Sequence, residues 1–164
     1  MTYVSQTEVT EVVAAQVTTP ATAAIGGHPI HAALVPFPIV CFTLALLTDI
    51  AYWRTVNLMW QNFSAWLLFA GLVSGALAAI FGAIDMFARR RLRSHSTAVL
   101  HGIGNVVALI LALFNSFVHA GDGWTAVVPM GLILSALTVL TMIFTVWLGR
   151  TMVFRQAIGV QIHD

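Results

Sequence analysis

The chain has 164 residues, of which 59% are apolar and only 8% charged, whereas a soluble domain carries about a quarter charged residues. Four apolar stretches, with Asp49 and Asp85 their only acids, take up most of its length, each near the roughly 20 residues that cross a bilayer as a helix. The lipid bilayer is the expected solvent, which excludes a soluble enzyme, a nucleic-acid binder and a disordered chain. The formal net charge is +1, every basic side chain being arginine. The lone cysteine, Cys41, permits neither an intrachain disulfide nor a zinc thiolate cluster.

Residues 1–25 are rich in Thr, Val and Ala with Glu8 and Glu11, and contain no apolar run long enough to span. They read as a flexible cytoplasmic tail. They lack the basic start and apolar stretch of a secretory signal, so the first membrane helix is expected to be retained. The four-helix transmembrane domain occupies residues 26–150, followed by a cytoplasmic C-terminal tail at 151–164.

The first span is expected over about residues 30–51, opening with Gly26-Gly27-His28-Pro29. Pro29 suits a first helical turn, where its missing N–H has no partner to lose. Pro36 and Pro38 free carbonyls one turn back and predict a bent or late-starting helix. The remaining spans fall over about residues 65–87, 97–118 and 127–148, with short loops at 56–64 and 120–125. Short loops predict an all-α membrane protein with four transmembrane helices in an up-down-up-down antiparallel bundle.

Arginine sets the orientation. Arg89, Arg90, Arg91 and Arg93 lie between spans two and three, Arg150 and Arg155 follow span four, and Arg54 stands alone on the opposite side. That imbalance predicts both termini and the middle loop in the cytoplasm of a bacterial inner membrane. Trp53, Trp60, Trp66 and Trp124 then gather at the outer face as an interfacial belt.

Steps of three and four residues pick out one face of a helix. Span two carries Gly71, Gly75, Ala78, Gly82 and Asp85 in that rhythm; span three His101, Asn105, Ala108, Ala112, Asn115 and His119; span four Gly131, Ser135, Thr138, Met142, Thr145 and Gly149. These faces should point inward, the small residues allowing close helix approach and the amides and hydroxyls bonding between helices. An ionisable side chain inside a span is costly unless paired, which marks a functional site. His28, His31, Asp85 and His101 lie towards one boundary, differing in depth by only several ångström at about 1.5 Å rise per residue. Asp49, Arg54, His119 and Asp122 lie towards the other. There Asp49 and Arg54 read as a headgroup-level pair, and His119 as a cap for the third helix's C-terminus.

Spans one and three of such a bundle are diagonal, so His31 and His101 are expected to face each other across the interior. That is the arrangement of a bis-histidine b-type haem, with both axial positions filled and electron transfer favoured over oxygen binding. On this reading the Gly75, Ala78 and Gly82 stripe gives the porphyrin clearance, Arg89 to Arg93 meet its propionates, and Asp85 or Asn105 orients an imidazole. His28-x-x-His31 with Asp85 is an alternative transition-metal set. A proton or ion path through Asp85, His101, Asn105, Asn115 and His119 is another, interrupted by apolar turns between Asn105 and Asn115. A cofactor-free subunit packing against a larger membrane complex is the remaining reading. No nucleophile and base arrangement and no phosphate-binding glycine loop speak for an independent enzyme.

The opening His28-Pro29-Ile30-His31-Ala32-Ala33-Leu34-Val35-Pro36-Phe37-Pro38-Ile39, then Asp49, Gly82-x-x-Asp85 and His101-x-x-x-Asn105, resemble the bacterial predicted-membrane-protein family of unknown function numbered 2231. The resemblance covers roughly residues 27–150, with Ala32 where many relatives have proline. It implies the four-helix membrane domain but no settled activity. Relatives of this kind are sometimes fused to Rieske-type iron–sulfur or cytochrome c domains, which implies a membrane redox complex as partner and haem b as cofactor by association only.

Overall fold

The computed structural model of the chain describes residues 22–26, 28–89, 95–121 and 127–156. A short antiparallel pair comes first, β1 (Ala24–Ile25) against β2 (His28–Pro29). Span I follows as α1 (Ile30–Leu34) and α2 (Pro36–Thr55), joined through Val35. The break has the expected cause. Pro36 and Pro38 offer no N–H to the carbonyls one turn back, and Pro36 instead opens α2 at its first turn.

Helix α2 ends at Val56, which adopts a left-handed backbone (φ 52°) while its N–H donates to the Tyr52 carbonyl at 2.7 Å. Asn57 then caps α3 (Leu58–Ala88), its Oδ1 accepting from the Met59 N–H at 3.0 Å. Only Val56 and Asn57 separate the two helices, so the loop expected at 56–64 shrinks to two residues. Gln61, Asn62 and Ser64 lower the local hydropathy and disguise the helix start. Gln61 and Ser64 are nevertheless buried, with partners inside the bundle. Span III is α4 (Ser96–His119). Span IV begins with a kinked segment (Val127–Gly131) in which Val128 is extended (φ −120°, ψ 124°), and continues as α5 (Leu132–Gln156).

All four spans are long and apolar enough to cross a membrane: Ile30–Thr55, Leu58–Ala88, Ser96–His119 and Val127–Phe154. The principal helix contacts run I to II, II to III, III to IV and IV to I, so spans I and III are diagonal, as are II and IV. Hydrogen bonds at the two ends give the direction of each helix. Asp49 late in span I meets Ser64 early in II, His119 late in III and Ser135 early in IV. At the other end His31 early in span I bonds to Ala78 in the second half of II, and His101 early in III to Thr145 late in IV. Successive helices therefore alternate in direction.

Between these ends lies an apolar layer of Phe42, Ala45, Leu68, Ala108, Ala112 and Met142. The helices approach closely because small residues line it. A Cβ on Gly71 would collide with the Phe42 ring, and one on Gly104 would sit 2.5 Å from Thr145 Cγ2. The expected inward stripes are buried at Gly71, Gly75, Ala78, Ala108, Ala112, Asn115, His119, Gly131, Ser135, Thr138, Met142 and Thr145, and half-buried at Gly82, Asp85, His101, Asn105 and Gly149. Val73, Ile80, Ile103 and Leu140 point outward, where lipid replaces a protein core.

Candidate functional site

At one end of the bundle, His31 and His101 approach across the diagonal. Their ring centroids are 6.2 Å apart and their planes are inclined at 86°. His31 Nδ1 lies 2.8 Å from the Ala78 carbonyl, and His101 Nδ1 lies 2.9 Å from the Thr145 carbonyl. A carbonyl can only accept, so Nδ1 carries the hydrogen in both rings and Nε2 of the neutral imidazole carries the lone pair. On His101 that lone pair faces the Asn105 amide, whose Nδ2 is 3.0 Å from Nε2 and also donates to the His101 carbonyl at 2.9 Å. Glycines make room for the rings. A Cβ on Gly82 would stand 2.9 Å from His31 Nδ1, and one on Gly149 3.3 Å from His101 Cε1.

The same end corrects three expectations. Asp85 orients neither imidazole; its Oδ1 accepts the main-chain N–H groups of Thr22 (2.6 Å) and Ala23 (3.0 Å). Arg89 adds a bond from Nε to Thr22 Oγ1 at 2.8 Å, so these residues fasten the segment preceding β1. His28 is exposed on β2, and among the described residues no three His, Cys, Asp or Glu side chains gather as a metal-binding group. The stripe of Gly75, Ala78 and Gly82 is filled by protein rather than left open. Gly75 faces Leu109 Cδ2 (2.8 Å from a Cβ) and Pro38 (3.4 Å), and Gly82 faces His31. Arg90, Arg91 and Arg93, expected at haem propionates, lie outside the described residues, as do Asp122 and Trp124.

The opposite end holds a denser cluster. Asp49 is wholly buried. Its Oδ1 accepts from Ser64 Oγ at 2.5 Å and faces His119 Nε2 at 2.9 Å, while its Oδ2 accepts from Ser135 Oγ at 2.5 Å. Asn115 Nδ2 donates to Ser135 Oγ at 2.7 Å, Thr48 and Ser64 hydroxyls are 2.7 Å apart, and Gln61 Nε2 donates to the His119 carbonyl at 3.2 Å. One carboxylate thus ties side chains from all four spans.

Asp49 does not pair with Arg54, whose exposed guanidinium instead lies 5.0 Å over the Trp53 ring. His119 does bond a carbonyl of its own helix, that of Asn115 at 3.0 Å, but its other nitrogen belongs to Asp49. The signal for this site was available. Pro38, Phe42, Ala45, Asp49 and Tyr52 recur at steps of four, three, four and three, and all are buried. That stripe places Asp49 inward, level with His119 and Ser135.

Fold and site together define a polytopic α-helical membrane protein with a polar cluster near each end of a small-residue core. The chain belongs to the predicted membrane protein family DUF2231, whose model matches residues 27–162. No curated protein and no solved structure matches it.

Proposed function

We propose that the bundle is a membrane electron-transfer subunit in which His31 and His101 take the iron of a b-type haem. The observation that carries this reading is the pair of diagonal imidazoles with centroids 6.2 Å apart, each with Nδ1 committed to a carbonyl and Nε2 left as the ligating nitrogen. Two imidazoles sharing one metal, each with a bond of about 2 Å, have centroids about 6 Å apart, so the spacing of the two donors fits, while a porphyrin between them would have to displace the side chains that fill the Gly75 and Gly82 stripe. The haem would supply one-electron chemistry with no open coordination position. The carbonyls of Ala78 and Thr145 hold the tautomer and ring direction. Asn105 stabilises the Nε2 lone pair of His101 and would turn aside for ligation. On this reading both termini and the arginine-rich connection between spans II and III face the cytoplasm of a bacterial inner membrane, and the partner is a membrane redox complex.

A second reading is a cofactor-free subunit whose four spans pack against a larger membrane complex. It is favoured by the glycine stripe, where Leu109, Pro38 and His31 fill the space a porphyrin needs. A visible spectrum separates the two. Protein purified in mild detergent should give a low-spin b-type spectrum whose bands sharpen on reduction, and His31→Ala or His101→Ala should abolish it. Absence of haem absorbance, with none recovered on adding hemin, overturns the electron-transfer reading and leaves the cofactor-free subunit.

A further inference from the structure

The Asp49 cluster lies in the opposite half of the bundle from the paired imidazoles and is independent of any haem. Its chemistry follows from counting hydrogens. His119 Nδ1 faces the Asn115 carbonyl, which only accepts, so Nδ1 carries a hydrogen. Nε2 faces Asp49 Oδ1, the oxygen that also accepts from Ser64. A neutral imidazole beside an ionised carboxylate would set two lone pairs against each other at 2.9 Å, inside a site where both side chains are 0% exposed. A low-dielectric interior makes that opposition costly. One further proton must lie between Nε2 and Oδ1, whether formally on the imidazole or on the carboxyl.

We propose that Asp49 and His119 form a proton-binding site at membrane depth, holding one exchangeable proton between Nε2 and Oδ1. With that proton the pair is neutral overall; its release to water leaves one net negative charge. The surroundings suit such a site. The hydroxyls of Ser64 and Ser135 both donate to the carboxylate and can rotate, and Thr48 extends the Ser64 branch towards the half-buried face of α2. Asn115 Oδ1 is buried with no hydrogen-bond partner, an acceptor that a water carrying the proton would satisfy. Among the described residues the other titratable or charged groups near this end are on span I: buried Tyr52, which has a partner of its own, and exposed Arg54. At this end the described packed faces of spans II and IV contribute the amide of Gln61 and the hydroxyls of Ser64, Ser135 and Thr138, and no titratable group.

The test uses the full chain in lipid nanodiscs with ¹⁵N-labelled histidine. At about pH 8 a free imidazole is roughly thirty-fold more neutral than charged. The proposal expects either a doubly protonated His119 ring or a singly protonated ring together with an infrared carboxylic-acid band that Asp49→Asn removes. In either case the signal should decline on further raising the pH and return on lowering it. His119→Gln assigns the ring signal. If that variant does not fold, single His→Gln changes at His28, His31, His95, His101 and His163 assign it by elimination in protein whose pair is intact. A His119 ring with one proton and no Asp49 acid band at neutral pH overturns the proposal. So does a shared proton that does not respond to pH at any value at which the bundle stays folded.

Discussion

The two ends of the bundle use the same side chain to opposite effect. At the His31 end, imidazoles are held by main-chain carbonyls, and their Nε2 atoms carry lone pairs, that of His101 meeting the Asn105 amide. At the Asp49 end the inward nitrogen faces a carboxylate, and side chains from every span close around it. A carbonyl partner fixes a tautomer and leaves a basic nitrogen available for a ligand. A carboxylate partner demands a proton and leaves no nitrogen free to ligate. The first arrangement is therefore ready to accept something, and the second holds the helices together.

The sharpest way to break this contrast is Asp49→Leu, which leaves His119, Ser64 and Ser135 without their acceptor. A cost of about 3–5 kcal/mol is expected, as for removing one partner of a buried charged pair, measured by denaturant titration of helical content in detergent. An effect below about 1 kcal/mol would mean the network does not organise the four spans. Next in size is Gly71→Leu, which drives a side chain into Phe42. Overpacking of this kind costs about 1–3 kcal/mol, whereas Leu at lipid-facing Val73 should lie within about 0.5 kcal/mol of the parent in the same titration. Equal tolerance at the two positions would contradict the inward face assigned to span II.

Asn105→Ala sharpens the other side of the comparison. It should lower stability by only about 0.6–1.7 kcal/mol, the range for one polar contact within a membrane. If haem binds, it should also leave the absorbance intact, because Asn105 competes for the nitrogen that would bind iron. Loss of the spectrum in this variant would make Asn105 part of the site rather than its occupant. The smallest effect on the bundle is expected from Asp85→Ala, which removes the acceptor for the Thr22 and Ala23 N–H groups. Limited proteolysis should then cut between residues 22 and 29 more readily, with the unfolding midpoint unchanged.

The spans, their order and their inward faces were legible because lipid and protein impose opposite demands on the two sides of a helix. Glycine, alanine, serine and asparagine at steps of three and four have no place against acyl chains. Diagonal contact of His31 and His101 followed from the short connections. Two other features run against the simplest reading of the sequence. The start of span II was hidden because hydropathy treats Gln61 and Ser64 as solvent-exposed, while here their polar atoms are satisfied inside the bundle. Asp49 was misread because an acid five residues before an arginine suggests a local pair. Its register with Phe42 and Ala45 turns it away from Arg54 into the interior.

The two-residue connection at Val56 and Asn57 bears on how the molecule is assembled. With so short a connection spans I and II form one hairpin, which contains Asp49 and Ser64 but not His119 or Ser135. Until spans III and IV arrive, the carboxylate is in lipid with a fraction of its final bonds, a condition a membrane penalises by several kcal/mol. Asp49 thus joins the two halves of the bundle: the first hairpin holds the acceptor and one donor, and the second supplies His119 and Ser135.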